Sequence, residues 1–188
     1  MAMYHGSVPP LEIYVKSPPL LVLLKILGFS EFIPKGLPVH IFLKIICALP
    51  GINCNNLIAA LTGLNCCLDP SALDLFFAYE PLSTSTKNLV HLAQIVRSGV
   101  LAKYSSPQIY NLSNIPHDLP LFISYGGQDA LSDVPDVETL LDYLKLHDSN
   151  KLNVQFIKDY AHVDFIMGLN AKDIVYNEVI SFFNRQFN

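Results

Sequence analysis

Asp129 and His162 are the two residues of this 188-residue chain best suited to work as a chemical pair. Asp129 follows an apolar run that ends at Gly126-Gly127. His162 follows a second β-like stretch, within Tyr160-Ala161-His162-Val163-Asp164-Phe165. A carboxylate that accepts a hydrogen bond from an imidazole fixes its tautomer and stabilises its charged form, so the ring can serve as a general base toward a hydroxyl. A side chain at the carboxyl end of a strand also faces the rim where open α/β sheets bind ligands. Each residue has a plainer reading on its own: Asp after Gly-Gly is a common turn residue, and a loop His is more often structural or superficial. Order, spacing and neighbouring elements agree for the pair, and that agreement carries more than either residue.

The third member of such a site is a nucleophile. In the chain order Ser…Asp…His the serine sits upstream on a strained G-x-S-x-G turn. Residues 1–118 contain no such turn. Gly6-Ser7-Val8-Pro9-Pro10 lacks the second glycine, and its prolines oppose the helix that should follow. The order of elements around Asp129 and His162 is that of the last third of an α/β-hydrolase, and the sequence shows no nucleophile for it. His91 lies beside apolar positions on a helical stretch and reads as structural, whereas His5, His40, His117 and His147 read as surface or loop residues.

The elements that must position the pair follow from periodicity. Residues 1–104 read as mostly helical, with segments at 20–27, 39–49, 55–64, 71–78 and 85–98. The last is the clearest, with Leu89, Leu92, Ala93 and Val96 at helical spacing and Gly99 as its stop. Residues 105–118 are rich in Ser, Asn and Pro and read as a loop. Residues 119–125 then read as a buried strand. Ser132 or Asp133 caps a helix with Pro135 in its first turn and Val137, Leu140, Leu141 and Leu144 toward the core. Residues 153–158 form a second strand with Val154 and Phe156 on one face, and residues 171–183 a closing helix with Val175, Val179, Phe182 and Phe183 on one side. Strand–helix–strand–helix implies parallel pairing. Two parallel strands do not stand alone, because parallel sheets are covered on both faces.

Composition bounds the rest. Hydrophobic residues make up 51% and charged residues 15% of the chain, and mean hydropathy is +0.36. That excludes a disordered chain and suits a membrane-facing surface or a fold segment that packs on a partner. A net charge of −4 gives no broad electrostatic reason for nucleic-acid binding. Lysines, a glutamate and prolines interrupt the apolar region 20–52, so no transmembrane span is expected. The first ten residues lack a signal-peptide pattern, which as written predicts synthesis in the cytosol. Cys47, Cys54, Cys66 and Cys67 have no zinc-like spacing. They read as buried free thiols or, in a secreted parent, as a local disulfide. Asn111-Leu112-Ser113 is a glycosylation sequon.

Several longer segments resemble the acid lipases, meaning the gastric and lysosomal lipases and their plant triacylglycerol-lipase relatives, with the plant branch the best match. Tyr14-Val15-Lys16-Ser17-Pro18 resembles the stretch that leads from the nucleophile elbow into the cap. Thr84-Ser85-Thr86-Lys87-Asn88-Leu89-Val90-His91-Leu92-Ala93-Gln94, with Val96-Arg97-Ser98-Gly99, resembles a family helix. Tyr110-Asn111-Leu112-Ser113 resembles the sequon before the acid strand, and Val175-Tyr176-Asn177-Glu178 the final helix. Gly126-Gly127-Gln128-Asp129-Ala130-Leu131-Ser132-Asp133 resembles the signature of the catalytic acid, and His162-Val163-Asp164-Phe165-Ile166 that of the catalytic histidine.

The resemblance implies a partial α/β-hydrolase fold: a helical cap with its connecting loop over residues 1–118 and the end of the core over residues 119–188, with the N-terminal core missing. It implies Asp129 as catalytic acid, His162 as catalytic base and neutral lipid or fatty-acyl esters as substrates, with no cofactor or metal. It implies lipid contact through the cap, a Cys47–Cys54 disulfide, and relatives that are secreted, vacuolar or lysosomal. Three departures stand out. The G-x-S-x-G core is absent, the segment Lys103-Tyr104-Ser105-Ser106-Pro107-Gln108 is shorter than in the family, and there is no signal peptide, all as expected of a truncated product. Alone, the chain is expected to be inactive or to act as a non-catalytic lipid- or partner-binding fragment.

Overall fold

The computed structural model describes residues 31, 32, 41, 45, 49, 54–79 and 84–187. Strand β1 (Glu31–Phe32) is followed by helices α1 (Cys54–Thr62) and α2 (Pro70–Tyr79). Strand β2 (Thr84–Ser85) leads directly into α3 (Thr86–Ser98). After a 3₁₀ turn at Leu112–Asn114 come β3 (Leu121–Gly126), α4 (Val134–Tyr143), β4 (Leu152–Ile157) and the short α5 (Asp164–Met167). A π turn at Lys172–Tyr176 runs into α6 (Asn177–Phe187). Ile41 and Ile45 are helical, within the helix expected over residues 39–49. The segment 20–27, His5, His40 and the Cys47–Cys54 pairing fall outside the described residues.

Local signals explain the helix ends. The Ser85 side chain accepts from the Asn88 N–H at 3.0 Å, and Gly99 closes α3 in the left-handed region at φ 67°. Of the two candidate caps for α4, Asp133 performs the role, accepting from the Asp136 N–H at 3.0 Å. The closing helix is not regular throughout. Gln155 donates to the Ile174 carbonyl at 2.7 Å, and such an inserted donor is one way a helical ladder opens.

β3 and β4 pair in parallel over six positions, from Leu121 opposite Leu152 to Gly126 opposite Ile157. Among the described residues this sheet has two strands. Alternation puts Phe122, Ser124, Asn153 and Gln155 on one face and Ile123, Tyr125, Val154 and Phe156 on the other. The C-terminal segment covers the first face: Phe122 meets the Phe182 ring at 5.6 Å, and Gln155 reaches Ile174. On the second face Val154 is 45% and Phe156 51% exposed. β3 is therefore half-buried rather than the fully buried strand that its apolar run suggests, because no third strand flanks it among the described residues. Phe183 is likewise 53% exposed, whereas Val175 and Phe182 are buried as their spacing suggests.

The main apolar cluster joins the helical half to the His162 loop. Ile58 of α1 packs with Val163 and Met167, and Leu68, Ala72, Leu73 and Phe76 close around them. The 103–108 segment closes on itself: Ala102 bridges Ile109, and Gln94 braces the turn by donating to Lys103 O and accepting from Ser105 N, both at 2.9 Å. β1 pairs antiparallel with β2, Glu31 opposite Ser85 and Phe32 opposite Thr84, a contact that no local pattern signals.

Of the two readings open for the cysteines, free thiols or a local disulfide, Cys66 and Cys67 take the second: their sulfurs are joined in a disulfide between neighbours on a partly exposed turn. His147 is a loop residue, one of the two placements expected for it, but it is not at the surface. It is buried where the turn after α4 meets the start of β3, and its Nε2 donates to the Leu119 carbonyl at 2.7 Å. His117 is exposed, and His91 bonds Ala102 O at 2.7 Å while packing edge-on to Tyr104. No helix among the described residues is long and apolar enough to cross a membrane.

Candidate active site

Gly126, the last residue of β3, and Gly127 after it explain how the loops meet. The turn after β3 presses against the turn after β4: Gly127 N donates to Ile157 O at 3.0 Å and Gln128 N to Tyr160 O at 2.9 Å. A Cβ at Gly126 would run into the Tyr160 carbonyl, and one at Gly127 into the Lys158 carbonyl. Only hydrogen fits at either position, and this close approach delivers Asp129 to the His162 loop.

Asp129 is then aimed by its own loop. Its Oδ1 accepts from the N–H groups of Leu131 and Ser132, each at 2.8 Å. That Asx-type turn leaves Oδ2 facing His162, whose Nδ1 lies 3.0 Å away. A carboxylate can only accept, so Nδ1 carries the hydrogen and Nε2 is left as the basic nitrogen. The Asp129 side chain is 4% exposed and that of His162 42%. The structure thus buries the carboxylate and leaves the imidazole accessible. Beside them opens a cavity of about 360 Å³, lined in part by Tyr125, Val137, Leu140, Phe165 and Ile166.

Burial is the largest single influence on the Asp129 carboxyl and pushes its pKa up. The hydrogen bonds from His162, Ser132 and Leu131, with the charge of His162, together outweigh it and hold the carboxyl below its ordinary value. The acid is therefore an anion at neutral pH, as an imidazole partner requires.

One grouping of metal-ligand types occurs among the described residues: Cys66, Cys67 and Asp164, with ligand atoms within 4.8 Å of one another. The two sulfurs are bonded to each other, and the Asp164 carboxylate is taken up by three backbone N–H groups. This set does not suit an ion. Sequence reasoning singled out Asp129 and His162, which the structure brings together, but it passed over Asp164. The signal available was a lone acid in the otherwise apolar run Val163-Asp164-Phe165-Ile166-Met167.

Comparison with known proteins bears on this geometry. No family model matches the chain. It is 56% identical over 175 residues to triacylglycerol lipase 2 of Arabidopsis thaliana, an alignment covering 86% of this chain and 42% of that protein. It is 38% identical over 145 residues to triacylglycerol lipase 1 of the same plant, covering 70% of this chain and 36% of the relative. With gastric triacylglycerol lipase of Bos taurus it shares 33% over 143 residues, 68% of this chain and 34% of the relative.

Over most of its length the chain is similar to lipases of the acid lipase family.

It spans less than half the length of these relatives. Similarity to lipases implies the α/β-hydrolase class for this mixed helix-and-strand chain, and the parallel pairing of β3 with β4 accords with that.

Proposed function

We propose that Asp129 and His162 are the acid and base of a serine-dependent ester hydrolase site acting on neutral lipid esters. The observation that carries this is the 3.0 Å bond from the accessible His162 to the buried Asp129. In the reaction, a serine hydroxyl attacks the ester carbonyl while His162 Nε2 takes its proton. The tetrahedral oxyanion is held by N–H donors. Collapse breaks the ester C–O bond, and His162 returns the proton to the leaving alcohol. Water then repeats the cycle on the acyl-enzyme, releasing the fatty acid and restoring the serine. Asp129 keeps the ring in the right tautomer throughout and stabilises its charged form.

The sequence has no G-x-S-x-G, so the serine and its oxyanion donors come from outside these 188 residues. On this reading residues 1–118 contribute cap and connecting loop, and residues 119–188 the final part of a hydrolase core. The relatives' names, triacylglycerol lipases, support the substrate class. A second reading has a specific observation in its favour. The apolar face at Val154 and Phe156 suits a non-catalytic role in which the chain binds lipid or a partner.

A chimera tests the first reading. This chain replaces the matching segment of the A. thaliana lipase 2, and p-nitrophenyl butyrate and tributyrin are assayed. The chain alone should not hydrolyse either ester. The chimera should, with losses of about 10⁶-fold for His162→Ala and about 10⁴-fold for Asp129→Asn. A chimera whose activity survives His162→Ala would overturn the reading.

A further inference from the structure

The turn between α1 and α2 grips both loops of the acid–base pair. The carbonyl of Thr62 accepts from the N–H of His162 at 3.1 Å and from that of Ala130, next to Asp129, at 3.3 Å. One oxygen thereby links the acid loop to the base loop. Gly63 bridges antiparallel to Asp129 at φ 96°, where a Cβ would strike the Gln128 carbonyl. Further along the turn, Cys66 N–H donates to Asp164 Oδ2 and Cys67 N–H to Asp164 Oδ1, both at 3.1 Å. The same two residues are joined by the Cys66–Cys67 disulfide. Asp164 is fully buried, and its Oδ2 also accepts from Ala161 N–H at 2.8 Å. Ala161, just before His162, and Asp164, two residues after it, are thus joined to each other, and Asp164 to the turn.

The His162 ring has no comparable packing. With 42% of its side chain exposed, its orientation depends on where the backbone places it and on the single bond to Asp129. A carboxylate accepting three N–H bonds is a strong, directional anchor, and small displacements of a reacting group are costly to rate.

We propose that the turn over residues 62–67 positions His162, acting through Asp164, which sets the His162 backbone at the distance from which Nδ1 reaches Asp129. This rests on the acid–base reading of the pair given above. Asp164 is a positioning residue and touches no reacting atom in this scheme.

Asp164→Asn tests it with little change of shape. The amide replaces one acceptor oxygen with a donor NH₂, so at least one of the three N–H groups loses its partner. The readout is the imidazole tautomer of each histidine, from long-range ¹H–¹⁵N spectra of the purified chain above the histidine titration range. In the wild type His162 should be the Nδ1–H tautomer. In Asp164→Asn it should move toward the Nε2–H form that free imidazole prefers. His91 and His147, whose Nε2 atoms bond the Ala102 and Leu119 carbonyls, should keep their signals and report that the variant is folded. In the lipase chimera the same variant should lower kcat by roughly ten- to a hundredfold with KM unchanged.

A wild-type His162 without the Nδ1–H tautomer would sink the acid–base reading itself. A wild type with it and a folded Asp164→Asn indistinguishable from it would overturn the positioning role alone. Should Asp164→Asn lose the His91 and His147 signals, Gly63→Ala decides by the same readout from the other end of the turn. There, loss of the Nδ1–H form supports the proposal and its retention overturns it.

Discussion

His162 Nδ1 and Asp129 Oδ2 lie 3.0 Å apart although 33 positions separate the residues in sequence. The contact couples folding to protonation. The folded Asp129 carboxyl lies below its ordinary value, whereas in the unfolded chain it lies near 3.9. In the window between the two values the unfolded state binds more protons, so stability rises with pH there. The contribution is fully present above the unfolded value and is lost as pH falls through the folded one. Urea denaturation from pH 6 to 2.5 should therefore show wild type and Asp129→Asn converging as pH drops below about 4. A difference between them that stays constant to pH 2.5 would contradict this.

Gly126→Ala and Gly127→Ala should each destabilise the chain by roughly 1–3 kcal/mol, the usual cost of forcing atoms into a packed site. Neither glycine needs a left-handed backbone. The cost comes from the Tyr160 and Lys158 carbonyls that an added Cβ would meet. These alanines should also separate the Asp129 and His162 loops, so the His162 Nδ1–H resonance should weaken in step with the fall in urea midpoint. A Gly127→Ala variant as stable as wild type would show that the two turns can move apart freely.

The parts of this architecture that were legible in the sequence are those governed by short-range rules. Ser85 and Gly99 bracket α3 because a hydroxyl cap and a left-handed glycine are local devices. Asp129 and His162 could be paired because each follows its strand by a few residues in a recognisable order. The turn over residues 62–67 was not legible in this way. Its bonds to Asp164 join residues 98 and 97 positions apart and run through backbone N–H groups, which every sequence carries. The burial of His147 and the pairing of β1 with β2 depend on tertiary approach in the same way.

Ser85→Ala should cost about 1 kcal/mol, because it removes the acceptor for Asn88 N–H at the start of α3. Asn88 also donates to Thr84 Oγ1 at 3.2 Å, so the loss should concentrate at this helix end. Hydrogen exchange should quicken for the amides of the first turn of α3 and leave β3 and β4 unchanged. Uniformly faster exchange across both regions would mean that α3 and the sheet unfold as one unit.

The exposed face of the sheet makes the last prediction. Parallel strands are ordinarily covered on both sides, yet here the polar side chains Ser124, Asn153 and Gln155 share the covered face while Val154 and Phe156 meet solvent. Ser124 and Gln155 are satisfied there, the hydroxyl donating to Gln155 Oε1 at 2.9 Å and Gln155 in turn to Ile174 O at 2.7 Å. The sequence therefore places its apolar groups where a further layer would cover them. Exposed apolar surface beside an unpaired strand edge favours association. The isolated chain should self-associate in a concentration-dependent way, and Val154→Thr with Phe156→Thr should reduce this in light scattering. Threonine keeps the strand preference, and both side chains are about half exposed, so thermal stability should change little. If a further layer covers the face in the lipase chimera, the same pair of substitutions should instead lower stability there. Equal effects in the isolated chain and the chimera would show that this face stays open in the longer protein.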